Sequence, residues 1–252
     1  MNVVDQTTLP AVFLIFCRIG ACLAIAPGLS TPRINMRFRL LAALGVTLAL
    51  APALLDKTRP AAMEASEPTA FATLIFGEFF IGATLGLMTR ILLAALETLA
   101  VAASMSVGMS SIFAPRVEEN DTLPDLAAFV SLAATTLFFV TNQHYEVLRV
   151  LADSYSPYPA GAYLSFGRAL ERLTEALSAG FLLALRLMSP FIMFGLSANF
   201  AFALLNRLVP QIAIYFVATP FVLLGGLLVA YGVIDRVVPA FVEALSAFIA
   251  RG

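Results

Sequence analysis

The residues from Ile212 to Ile234 carry no charge, yet Pro220 and the pair Gly225-Gly226 lie among them. Leu187 to Leu205 is also uncharged, holds Pro190 and Asn199, and has Arg186 and Arg207 at its edges. A stretch of about 20 apolar residues is what an α-helix needs to cross the hydrocarbon of a bilayer. Proline inside a helix removes one backbone hydrogen bond and kinks the rod. In lipid the freed carbonyl needs a protein or water partner. Apolar rods broken in this way imply a membrane assembly whose interrupted segments face other protein or a pore.

Composition agrees. Of the 252 residues, 60% are apolar and 12% charged, against about 45–50% and about 25% in ordinary globular chains. No alternation of period two is sustained enough for a barrel, so the expected class is an all-α integral membrane protein. The formal net charge of −1 gives no basic surface for nucleic acid. Cys17 and Cys22 share one apolar segment. Five residues apart on a helix, they point about 140° from one another, which suits neither a disulfide nor a metal site. The polar start holds Asp5 and no cation, unlike a signal peptide, so the first helix is expected to be retained.

The chain divides into six or seven hydrophobic segments. The first, about Leu9 to Ala26, stops at Pro27-Gly28, and Arg33, Arg37 and Arg39 follow as the densest basic cluster. The positive-inside bias places that cluster in the cytoplasm and the N-terminus outside. A short second segment spans Leu40 to Leu55. A third runs from Thr69 to Ile91 and continues into an apolar stretch reaching Ala114, the alternative being one long helix with a kink near Gly108. A fourth covers Leu126 to Asp153. Arg168, Glu171, Arg172 and Glu175 alternate in sign at helical spacing and predict a solvated start to the next helix. The tail from Asp235 reads as a separate short amphipathic helix.

Few polar groups interrupt these rods. Gly82 and Gly86 form a GxxxG spacing, which lets two helix backbones approach closely. Asn142, Glu146, Arg149 and Asp153 fall within about 60° of each other at 100° per residue, marking either a packing seam or wet pathway, or the end of a helix leaving the apolar layer. Asn199 and Asn206 share a face, as interhelical hydrogen-bonding groups do. The stretch Gly108, Met109, Ser110, Ser111, Ile112, Phe113, Ala114, Pro115 has an apolar middle between a glycine and a proline. Gly108-Met109-Ser110 superficially resembles the GxS of an intramembrane serine protease, with His144 as a partner. Ser111 stands where a small glycine or alanine is expected, however, and no oxyanion-hole residues are evident. HExxH, Walker A and GxGxxG are absent from the sequence, so no enzyme reading and no cofactor gains support.

Five stretches in chain order resemble one family. They are Cys17-Arg18-Ile19-Gly20 with Ala26-Pro27 and Pro32-Arg33; Ile81-Gly82 with Leu85-Gly86; Val107-Gly108-Met109-Ser110 with a loop ending at Pro115; Leu137-Phe138-Phe139 and Asn142-Gln143-His144, leading to Ser154 and Pro159-Ala160-Gly161; and Leu204-Leu205-Asn206-Arg207-Leu208-Val209-Pro210-Gln211 with Phe216 and Pro220. Together they resemble the FliR/SctT family of bacterial type III protein export gates, over nearly the whole chain. Gln143 and Ala203 depart from the pattern, standing where the family often has glycine.

The resemblance implies kinked helical hairpins in a single export-gate domain over 1–252, with a FliP-like part at about 1–175 and a FliQ-like part at about 176–252. It implies assembly with FliP and FliQ homologues into a gate for unfolded export substrates, with FlhB and FlhA homologues as neighbours. The location would be the bacterial inner membrane at the flagellar basal body. Gly108 to Pro115 matches the family's plug segment, while Asn206, Arg207, Pro210 and Gln211 match an assembly motif. The injectisome form of the gate and a stand-alone small-solute transporter are the alternatives, and an internal inverted repeat, which would favour the transporter, is not evident.

Overall fold

The computed structural model describes residues 8–30, 34–65, 67–107, 124–162, 166–208 and 214–250. Among these residues all regular structure is helical: α1 (Thr8–Ile25), α2 (Met36–Glu64), α3 (Pro68–Ser106), α4 (Asp125–Val140), α5 (Gln143–Asp153), α6 (Phe166–Leu208) and α7 (Ile214–Ala250). Five helices are long and apolar enough to cross a membrane, or six if the broken pair α4–α5 is one span. The chain is an all-α membrane protein.

Local chemistry sets the ends. Pro10 lies in the first turn of α1, where a missing N–H removes no intrahelical bond. Beyond the last turn, Gly28 takes a left-handed φ of 84°, a conformation glycine adopts without steric penalty. Asn35 caps α2, its side chain accepting from the Arg37 amide at 3.2 Å. Pro68 opens α3.

Several boundaries differ from the hydropathy reading. The second segment is expected at Leu40–Leu55, but α2 runs from Met36 to Glu64 with Pro52 and Pro60 inside it. The third does not end at Ile91 but is one continuous helix to Ser106, as in the one-helix alternative, whose kink near Gly108 lies outside the described residues. The fourth is two helices. Asn142 adopts φ 59°, ψ 21° between α4 and α5, a left-handed conformation that asparagine tolerates better than most side chains. The tail is not separate, because α7 continues through both Pro220 and Pro239.

The chain forms two compact units. The first draws on the described parts of Met1–Ile91, Asn142–Leu177 and Ser246–Gly252. Its centre is α1, where Ala11, Leu14, Ile15, Ile19 and Cys22 are fully buried. α1 packs on α2 and runs in the same direction as the first half of α3: Phe13 stacks on Phe71, and Arg18 and Cys22 face Gly82 and Gly86. α5 adds Val147 and Leu151 to this core.

The second unit draws on Leu92–Thr141 and Ser178–Leu245. Its interior holds the small residues Ala95, Ala100 and Ala103 of α3, with Leu187 and Met188 of α6. A side chain at Gly225 of α7 would overlap the Phe194 ring of α6. Much apolar surface stays uncovered: 11% of the apolar window of α7 is buried against 44% of that of α1. That surface requires lipid or another protein over it.

Candidate functional site

The most built polar feature of the chain lies inside the first unit. Arg18, in the middle of α1, is fully buried, and Glu78 of α3 is 1% exposed. The guanidinium Nε donates to Glu78 Oε2 at 2.6 Å and Nη2 donates to Oε1 at 2.9 Å. This is the two-pronged geometry that suits a planar fork to a carboxylate.

The turn after α5 supplies the remaining partners. Arg18 Nη1 donates to Ser154 Oγ at 3.1 Å, and Nη2 to the Tyr158 carbonyl at 3.0 Å. The Tyr155 ring lies under the guanidinium, 3.7 Å from Cζ to the ring centroid. Its hydroxyl donates to Glu78 Oε2 at 3.3 Å. Burial, opposed in part by Arg18 and reinforced by Glu78, pushes the Tyr155 phenol up from its ordinary range, so it remains a donor. A buried ion pair is tolerable only when its remaining donors and acceptors are satisfied, and this one is satisfied from three segments of chain.

The backbone explains how the groups meet. Glu78, Gly82 and Gly86 succeed one another at intervals of four on α3, as do Arg18 and Cys22 on α1, so each set shares a face. A Cβ at Gly82 would overlap the Arg18 carbonyl oxygen, and one at Gly86 would lie 2.6 Å from that of Cys22. The glycines bring α3 onto the α1 backbone, and the side chain of Arg18 then reaches the carboxylate one turn before Gly82. Across from them, Gly161 holds φ 86° in the turn that delivers Ser154 and Tyr158.

In the second unit Asn199 of α6 donates through Nδ2 to the Ser106 carbonyl, at the end of α3, at 2.8 Å. Gly195, one turn earlier, has no room for a side chain: its Cβ would lie 2.6 Å from the Ser106 carbonyl.

Other residues singled out in the sequence are elsewhere. Asn142 is the exposed left-handed residue before α5, and Glu146 and Arg149 lie on the exposed side of that helix. Arg149 approaches Asp153 at 3.9 Å with both side chains about three-quarters exposed, a pair of small energetic consequence. Asn206 and Arg207 are exposed at the end of α6. Gly108, Met109, Ser110, Ser111, Ile112, Phe113, Pro115, Pro210 and Gln211 lie outside the described residues.

The Arg18–Glu78 pairing is absent from the sequence reading. Its signal was the single charge of α1, Arg18, and the first of the three charges of α3, Glu78, since a charge within an apolar helix needs a partner in lipid.

Comparison with known proteins follows the same course along the chain. The family described as Bacterial export proteins, family 1, matches residues 9–248. The chain is 30% identical to the flagellar biosynthetic protein FliR of Escherichia coli K12, covering 88% of this chain and 83% of that protein. It is 28% identical to the protein of that name from Caulobacter vibrioides, covering 85% and 84%. The Pectobacterium carotovorum relative is 29% identical, covering 91% and 86%.

Proposed function

This chain belongs to the bacterial export proteins of family 1, and from that premise we propose that it is a subunit of the flagellar type III export gate, through which unfolded flagellar subunits cross the membrane. The match over residues 9–248, with similarity to flagellar FliR proteins of several bacteria, carries this reading. The barely covered apolar face of α7 supports it, because a gate subunit is completed by its neighbours.

The partners in this reading are FliP and FliQ homologues within the gate and FlhB and FlhA homologues beside it. The part at about 1–175 is FliP-like and that at about 176–252 FliQ-like. The gate resides in the inner membrane at the flagellar basal body. Arg37 and Arg39, with Arg33, favour a cytoplasmic face for the start of α2 and a periplasmic N-terminus. Its action is physical rather than enzymatic. Gly108 to Pro115 acts as a plug: an apolar constriction excludes water and ions while shut. Asn206, Arg207, Pro210 and Gln211, with the exposed side of α5, serve as assembly contacts.

Co-expression with the neighbouring FliP and FliQ homologues tests the assignment. One stable complex containing all three proteins is expected on purification, and a chain recovered only as free monomer would overturn it. Deleting 108–113 is expected to make the assembled gate leak ions across the inner membrane. Unchanged permeability in that variant removes the plug role and leaves the assembly role standing.

A further inference from the structure

The two sides of α5 differ in kind. Val147 and Leu151 are buried in the first unit, while Glu146, Arg149 and Asp153 are exposed on the other side. The depth of the helix follows from its contacts with α1. Ser154, just past its end, accepts from Arg18. Val147 and Val150, earlier in the helix, line a small apolar cavity with Cys22 of α1 and Leu85 and Met88 of α3. α5 therefore lies beside the second half of α1 and runs against it. The 18 residues of α1 measure about 27 Å at about 1.5 Å per residue, so hydrocarbon about 30 Å thick takes up the whole helix. The charges of α5 lie at that depth.

Lipid is a poor cover for them, because a charge facing hydrocarbon is costly and such residues face protein or water instead. Leu87 of α3, next to Gly86 and so level with Cys22, is exposed and apolar, as a lipid-covered residue should be. On α5 the chain itself does little for the charges. Arg149 and Asp153 approach only to 3.9 Å, each about three-quarters exposed. Glu146 has no ion-pair partner among the described residues. Two carboxylates and one guanidinium leave this side with one negative charge in excess. A second copy of the chain laid on the same side would double the excess where water screens little. A surface of opposite excess cancels it.

We propose that the exposed side of α5 is covered in the assembled gate by a different subunit that presents a basic side chain to Glu146. This rests on the gate reading, and the test separates the two. The gate is purified with its FliP, FliQ and FlhB homologues from cells making the unaltered chain, Glu146→Lys, Glu146→Gln, or Glu175→Lys as a control for charge alone. Glu175 is exposed near the start of α6. In a further variant a photo-cross-linking amino acid replaces Tyr145, which is exposed beside Glu146. Complex yield and the identity of the photo-adduct are the readouts, with thermal unfolding of each chain alone in detergent.

The expected result is an adduct between position 145 and another gate subunit. Glu146→Lys should lower complex yield by about tenfold or more, because it sets like charges face to face. Glu146→Gln should fall between it and the unaltered chain, and Glu175→Lys should assemble normally. The chain alone should unfold at an unchanged temperature in all of these variants, since the altered side chains are exposed. If Glu146→Lys unfolds earlier by itself, its yield no longer counts and the adduct decides. An assembled gate in which position 145 joins only lipid, only a second copy of this chain, or nothing overturns the proposal and leaves the gate reading standing. A Glu146→Lys chain that is stable and assembles in full overturns it as well. If the unaltered chain forms no complex with those homologues, the gate reading fails and the partner of α5 goes with it.

Discussion

Replacing Arg18 with leucine is expected to destabilise the first unit by about 3–5 kcal/mol, the range for removing one partner of a buried ion pair. Glu78 would be left as an unneutralised carboxylate at 1% exposure, and Ser154 Oγ and the Tyr158 carbonyl would lose their donor. Glu78→Gln should act in the same direction, since it keeps the shape and abandons the charge of Arg18. The double variant Arg18→Leu/Glu78→Leu should regain much of the loss, because apolar replacement of a whole buried pair is often neutral or stabilising by about 1–4 kcal/mol. Recovery will be incomplete where Ser154 and Tyr155 keep polar atoms facing the new side chains. Thermal unfolding of the purified chain in detergent reads all three variants. A single Arg18→Leu substitution without effect on unfolding temperature would show that the pair is not what holds α1, α3 and the 154–158 turn together.

The second large effect belongs to Gly82. A valine there would force its Cβ into the Arg18 carbonyl. The collision is with backbone, so no rotamer change relieves it, and α1 and α3 must move apart. Overpacking alone costs about 1–3 kcal/mol. Here the displacement also withdraws Arg18 from Glu78, so the combined loss should exceed that of overpacking by itself. Gly86→Val should behave similarly. Gly77, on the same helix, has nothing within 4 Å of an added Cβ. Gly77→Ala should instead stabilise the helix by up to about 0.8–1 kcal/mol through propensity. The same unfolding measurement distinguishes the positions, and a Gly82→Val chain as stable as Gly77→Ala would remove the close-approach argument.

The helical, membrane-embedded character of the chain was legible because apolarity over a span length admits few alternatives. Helix ends were less so. The second segment was ended at Leu55 and the tail begun at Asp235, yet α2 and α7 run on through both places: one proline removes one bond, and Ala61, Ala62, Met63 and Glu64 are good helix formers beyond Pro60. The break at Asn142 has a local cause in the tolerance of asparagine for positive φ. That tolerance permits a break without demanding one, and hydropathy does not change across it. Gly82 and Gly86 stood out by spacing, but spacing says nothing of which backbone comes near. Arg18 is the single charge of α1, but Glu78 is one of three charges on α3, with Arg90 and Glu97. Their union depends on α1 and α3 running side by side in one direction, which is a property of the folded bundle and not of either segment.

The union of Arg18 and Glu78 also bears on how the chain is made. The ribosome delivers α1 first, and the carboxylate that neutralises its guanidinium comes 60 residues later. At about 5–20 residues per second that delay is about 3–12 s. Throughout it the nascent rod carries a cation without the carboxylate that pairs with it in the folded chain, and bare burial in hydrocarbon is unfavourable. The insertion machinery, a lipid headgroup or water must shelter that charge until translation passes residue 78. The opening helix becomes a settled resident of the bilayer only when the third one arrives.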